Sequence, residues 1–202
     1  MAQMYEVFTE NGWIVFTKKW KKEFKPKNTE VICEKDFRVK DMREIRLKTP
    51  VSITLLIISE EPKLTFGNYF KNYELIQAAG GLVKRKNTFL FIKRHGKWDI
   101  PKGKRDKGEN LKTCAIREVT EECGIENLTI ESKICKTYHT YSWDGKPVLK
   151  ESHWYRISYS GKKKLVPQTE EAITKAVWMQ LSEWKKVEKN TFETIRKVLD
   201  AY

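Results

Sequence analysis

The sequence predicts an α/β protein, an α/β/α sandwich built on a mixed sheet around one central helix, preceded by a small α+β unit. Three observations lead there. Strand-like runs flank a helix from about residue 76 onward, an amphipathic helix closes the chain, and residues 1–73 have a separate texture. The expected division is a small domain over 1–73, to which the sequence assigns no chemistry, and a larger one over 74–202.

In the first part, Met4 to Thr17 reads as a hairpin, with Tyr5-Glu6-Val7-Phe8 and Trp13-Ile14-Val15-Phe16 on either side of Glu10-Asn11-Gly12. Lys18 to Lys27 is a basic connector, and the β-branched run from Val51 to Ile58 is a buried strand. Phe66, Phe70, Tyr73 and Leu75 line one side of a short helix, with Pro62 and Gly67 marking loops.

In the second part, Ala78 to Val83 leads into a strand and Thr88 to Ile92 forms another. Trp98 to Lys104 is a loop because Pro101 and Gly103 resist regular structure. Asn110 to Cys123 is a helix closed by Gly124. Strand-like runs follow over 128–136, 148–159 and 176–179. The tail from Glu183 to Leu199 reads as one amphipathic helix whose apolar side carries Trp184, Val187, Phe192, Ile195 and Val198.

Composition narrows the function classes. Hydrophobic residues reach 40% and charged residues 33%, interleaved, which describes a chain with a core. The net charge of +13 is uneven: 14 basic and 11 acidic residues fall in 1–75, leaving 26 basic and 16 acidic in the remainder. Such a surface attracts polyanions without choosing among nucleic acids, nucleotides and inositol phosphates. The four cysteines, Cys33, Cys114, Cys123 and Cys135, have neither paired nor zinc-site spacing, which fits reduced thiols and a cytoplasmic setting. The N-terminus shows no signal pattern, and no apolar run is long enough for a membrane helix.

The chemistry concentrates in one helix. Glu118, Glu121 and Glu122 lie three and four positions apart and so share a face. Adjacent carboxylates repel, a cost that makes sense if cations sit among them, and hard oxygen ligands suit Mg²⁺ or Mn²⁺. Taken alone, the three glutamates equally describe an acidic solvent-facing stripe. A glycine-bearing loop, Glu109 ahead of Arg117, and the apolar Leu111, Ala115, Ile116 and Val119 set them in a fuller context.

That context resembles a family signature. Gly103, Glu109, Arg117-Glu118-Val119, Glu121-Glu122 and Gly124-Ile125, at their spacing over 23 positions, match the Nudix box at every defined position. The likeness runs from about Ile76 to the C-terminus. It implies a Nudix-type fold and a metal-dependent enzyme cleaving a phosphoanhydride bond in a nucleoside diphosphate-linked compound. Glu118 and Glu122 would then be the main Mg²⁺ ligands, with Glu121 assisting and the Gly103 carbonyl completing a shell; Mn²⁺ could substitute. Glu109 would pair with Arg117 in a structural role. The general base would be a box glutamate or, from the later loop, Glu170 or Glu171.

Arg94, Lys102 and Lys104 are candidate phosphate contacts, with Lys93 beside them. Pro101-Lys102-Gly103-Lys104, together with Tyr141, resembles the diadenosine polyphosphate and diphosphoinositol polyphosphate hydrolases within that family. His139, His153 and Trp154 supply imidazole and aromatic groups near the expected cleft. The expected partner is a small polyphosphate or nucleotide. RNA 5′-end hydrolysis is the alternative, a Nudix-like binding module without catalysis is a second, and a homodimer is possible through residues 1–73.

Overall fold

The computed structural model describes residues 4–10, 12–19, 29–33 and 53–202, with the backbone alone at 29–33 and 53. Most of the connector expected over 18–27 lies outside these residues, as do Asn11, Val51 and Ser52. The chain divides into two compact units, one of residues up to 75 with 138–149, the other of 76–137 with 150–202.

The first unit begins with the expected hairpin. β1 (Tyr5–Thr9) and β2 (Gly12–Thr17) pair antiparallel, Tyr5 opposite Phe16 and Thr9 opposite Gly12. β4 (Ile53–Ile58) lies parallel to β2, and β3 (Thr29–Cys33), which the sequence reading did not anticipate, lies parallel to β4. The helix α1 spans Pro62–Phe70. Pro62 opens the helix rather than marking a loop, because its missing N–H is one the first turn leaves unbonded anyway. Gly67 sits in the helix interior, whereas Tyr73 follows its end and Leu75 falls in the next strand. Phe66 stacks on Tyr5 at 4.8 Å between ring centroids, and Val7, Ile14, Phe16, Leu55, Ile57 and Phe70 complete a small core.

From β5 onward the strands are β5 (Glu74–Arg85), β6 (Thr88–Arg94), β9 (Leu128–Trp143), β10 (Lys146–Tyr159) and β11 (Ile173–Gln180), in the order β11-β6-β5-β10-β9, and the second unit holds them apart from residues 74–75 and 138–149. Along β6 the side chains alternate between two cores: Leu90 and Ile92 face one, Phe89 and Phe91 the other. The helix α2 (Leu111–Cys123) packs Cys114, Ala115, Val119 and Cys123 into the first core. The helices α3 (Trp184–Glu188) and α4 (Glu193–Asp200) pack Trp184, Val187, Ile195, Val198 and Leu199 into the second. Each fully buried aliphatic or aromatic side chain contributes about 1.5–3 kcal/mol, so both helices are held by the sheet rather than by propensity. The α/β sandwich is as expected.

Two expectations need correction. The segment 98–104 is not a plain loop: β7 (Lys97–Asp99) pairs with β6 and β8 (Lys102–Lys104) pairs with β5, with Ile100-Pro101 between them. The tail is two helices instead of one. The backbone N–H of Trp98 donates to Asn190 O at 2.8 Å, and the Thr191 hydroxyl donates to Trp98 O at 2.7 Å. These tertiary bonds hold the break at residues 190–192 between the two helices.

Candidate active site

The site grows from α2. Asn110 caps its start, its side-chain oxygen accepting from the N–H groups of Lys112 and Thr113 at 3.1 and 2.9 Å. Gly124 closes its end in the left-handed region, φ 69°, where glycine carries no Cβ penalty, and donates to Thr120 O at 2.8 Å. The apolar face is buried; Glu118 and Glu122 turn toward β8, whereas Glu121 is exposed.

Arg117 ties this face together. Its guanidinium grips Glu109 with two bonds, 2.9 and 3.0 Å, and donates to Glu118 Oε1 at 2.8 Å, Glu121 Oε2 at 2.9 Å and Lys104 O at 3.0 Å. A planar five-donor fork is the side chain that can do this. The bidentate bond to Arg117 holds the Glu109 carboxyl down at about 2. Glu118 lies flat against the backbone of β8: a Cβ on Gly103 would meet Glu118 Oε2 at 1.9 Å. Glycine is required there for space. The Gly103 carbonyl accepts weakly from the Cys114 thiol at 3.8 Å.

Glu122 is the most enclosed of the three, 2% exposed. Its Oε2 accepts the backbone N–H of Lys102 at 2.9 Å, and its Oε1 accepts from Arg94 at 3.4 Å. Burial pushes its carboxyl up to about 7, and burial likewise raises that of Glu118. Arg94 reaches on to Glu171 Oε2 at 2.6 Å, which links the later loop to the helix. Lys102 Nζ bonds Asp99 Oδ2 at 2.5 Å, while Asp99 Oδ1 accepts the N–H of Ile100 at 2.8 Å.

The structure thus brings together Gly103, Glu109, Arg117, Glu118, Glu121, Glu122, Arg94, Lys102 and Glu171. Glu170 is solvent-facing and Lys104 has an exposed side chain. Tyr141 belongs to the other compact unit, where its ring stacks on His139 at 5.6 Å. Sequence reasoning missed Asp99, whose signal was an acid three positions before a lysine inside an apolar run. Lys150, on β10, also lies among these charges and has no hydrogen bond or ion pair among the described residues. Burial first, then the like charges of Lys102 and Arg94, brings its ammonium down to about 8, while Asp99 and Glu118 partly offset the shift.

Among the described residues no three His, Cys, Asp or Glu side chains converge as a ready cation cage, because Arg117 holds Glu118 and Glu121 while Arg94 holds Glu122. The donor set is nevertheless all oxygen, carboxylates and the Gly103 carbonyl, with two carboxylates destabilised by burial. Residues of this kind fit a hard divalent cation.

The NUDIX domain matches residues 75–202. The RNA pyrophosphohydrolase of Pelagibacter ubique (strain HTCC1062) is 29% identical over 128 residues, which cover 56% of this chain and 77% of that protein. The E. coli ORF135 protein shares the fold, with TM-score 0.51 at 19% identity over 65% of this chain and 90% of the other. The C. elegans Ap4A hydrolase superposes with TM-score 0.49 at 25% identity over 62% of this chain and 93% of its own. The chain belongs to the NUDIX domain family and is a Nudix hydrolase. No helix among the described residues is long and apolar enough to cross a membrane.

Proposed function

We infer that the protein hydrolyses a phosphoanhydride bond in a nucleoside diphosphate-linked or dinucleoside polyphosphate substrate, by attack of water on phosphorus, in the cytoplasm. The supporting observation is the pair Glu118 and Glu122, deprived of solvent yet facing Arg94, Lys102 and Lys150. Mg²⁺, or Mn²⁺ in its place, would be held by Glu118, Glu121, Glu122 and the Gly103 carbonyl; bound there it lowers the pKa of water and offsets phosphate charge. Glu109 and Arg117 fix the loop against the helix. Lys150, with no hydrogen bond or ion pair among the described residues, receives a substrate phosphate, and Lys104 meets the anion at the rim. A box glutamate takes the proton from the attacking water, with Glu171, placed by Arg94, as the rival.

A second reading, hydrolysis at the 5′ end of RNA, is favoured by the Pelagibacter relative's name and by the basic charge of the second unit. Purified protein should release product from diadenosine tetraphosphate or 5′-triphosphorylated RNA with Mg²⁺ and not in chelator. Product identification separates the two readings, and the absence of metal-stimulated release from either substrate would refute both. Lys150→Met should raise KM about tenfold, the loss of one charge-assisted phosphate contact, and change kcat less. An unchanged KM would remove Lys150 from the phosphate site.

A further inference from the structure

A lysine-bearing pocket lies away from the glutamates of the box helix. The β5–β6 turn, the start of β9 and the end of β10 frame a pocket of about 290 Å³. Lys84 and Lys86 line it, with Thr129, Ser158, Ser160 and the carboxylate of Glu131. Both lysines are exposed and have no hydrogen bond or ion pair among the described residues. Lys86 itself sits in the left-handed region at φ 52°, a conformation the tight turn imposes.

The pocket is joined to the candidate site by chain. Beyond Ser160, the N–H of Lys163 donates to the Tyr159 hydroxyl at 3.1 Å, that of Val166 to Cys123 O at 2.9 Å, and that of Gln168 to Glu122 O at 3.1 Å. Residues 160–168 are therefore pinned along the end of α2, and three positions later Glu171 meets Arg94. This segment carries Lys162, Lys163 and Lys164. Lys163 is neutralised by Glu126 at 3.0 Å, whereas Lys162 and Lys164 are exposed and without a partner among the described residues. Along β5, Lys84 lies four residues beyond Gly80, which is opposite Lys102 in β8, or roughly 13 Å at about 3.3 Å per residue.

We propose that this pocket and the lysine-bearing segment form an exosite for the sugar–phosphate backbone of an RNA strand, the lysines meeting phosphates and the Thr129, Ser158 and Ser160 hydroxyls meeting ribose. The aromatic residue lining the pocket, Tyr159, is buried and stacked on Trp178 at 5.8 Å, so the site meets backbone charge rather than base identity. The inference deepens the RNA reading of the active site and rests on it for its purpose, though strand binding itself does not require turnover.

The test uses the full chain and a short 5′-hydroxyl oligouridylate, which has no bond for the enzyme to cleave. Its affinity is measured by fluorescence anisotropy across a salt series. The double variant Lys84→Glu, Lys86→Glu should bind about tenfold or more weakly at low salt. Its slope of log K against log salt should fall by about 1.4, for two lost single-strand phosphate contacts. Its turnover of diadenosine tetraphosphate, or of whichever small substrate proves active, should match the parent. Glu131→Lys should tighten strand binding. Unchanged affinity and slope in the double variant would overturn the exosite. If the strand binds through these lysines while 5′-triphosphorylated RNA yields no product, the exosite stands and the RNA-end reading falls.

Discussion

Glu122→Gln is expected to lower metal-dependent turnover by at least about 10²–10³-fold, the range for removing one key electrostatic contact, while leaving the fold intact. The substitution preserves shape in a position that is 2% exposed. The retained amide oxygen can still accept the backbone N–H of Lys102, so the helix and β8 stay joined. What disappears is the negative charge that the surrounding cations and a divalent ion would share. Glu118→Gln should behave alike, because its carboxylate is the other one deprived of water and lies on the Gly103 backbone. Steady-state rates with Mg²⁺, a metal titration and melting temperatures for both variants check this. Near-parental turnover in both would exclude these carboxylates from the chemistry.

Glu109→Gln should act first on stability. The amide keeps at most one of the two bonds to Arg117 and loses the charge, a change of about 1–3 kcal/mol. For a chain of this size that corresponds to a melting temperature lower by roughly 2–12 °C. The sign of the pH dependence is fixed. The folded carboxyl sits at about 2 against an ordinary 4.5, so its stabilisation is complete above about 4.5 and is lost as pH falls toward 2. Parent and variant should therefore differ most near neutrality and converge at about pH 2. Acid unfolding curves measure this directly, and a constant difference down to pH 2 would show that the ion pair does not carry the stability.

Legibility from sequence followed the range of the interaction. The limits of α2 were readable because Asn110 and Gly124 act on backbone groups within the next turn. The pairing of Glu109 with Arg117 was readable only through the family resemblance, since eight residues and a loop separate them. The break in the tail was not readable, because residues 190–192 are held by bonds to β7, more than ninety residues earlier. The β9–β10 hairpin runs further than the strand-like runs suggested. Its turn residues Asp144 and Gly145 both have positive φ, the two-residue turn that an Asp-Gly pair favours, so a local signal was present there and was passed over. Glu118 against Gly103 depends on the register of β8 on β5, which no periodicity reveals.

The stretch between β8 and α2 is fastened at several points: Arg105 N–H on Gln77 O, Asp106 N–H on the Glu109 carboxylate, and Glu109 on Arg117. Its conformational freedom is surrendered when the polypeptide folds, before any ligand arrives. An incoming ligand then meets a wall already set in place. Association should carry little entropic penalty from this stretch, which binding calorimetry would see as a small unfavourable entropy.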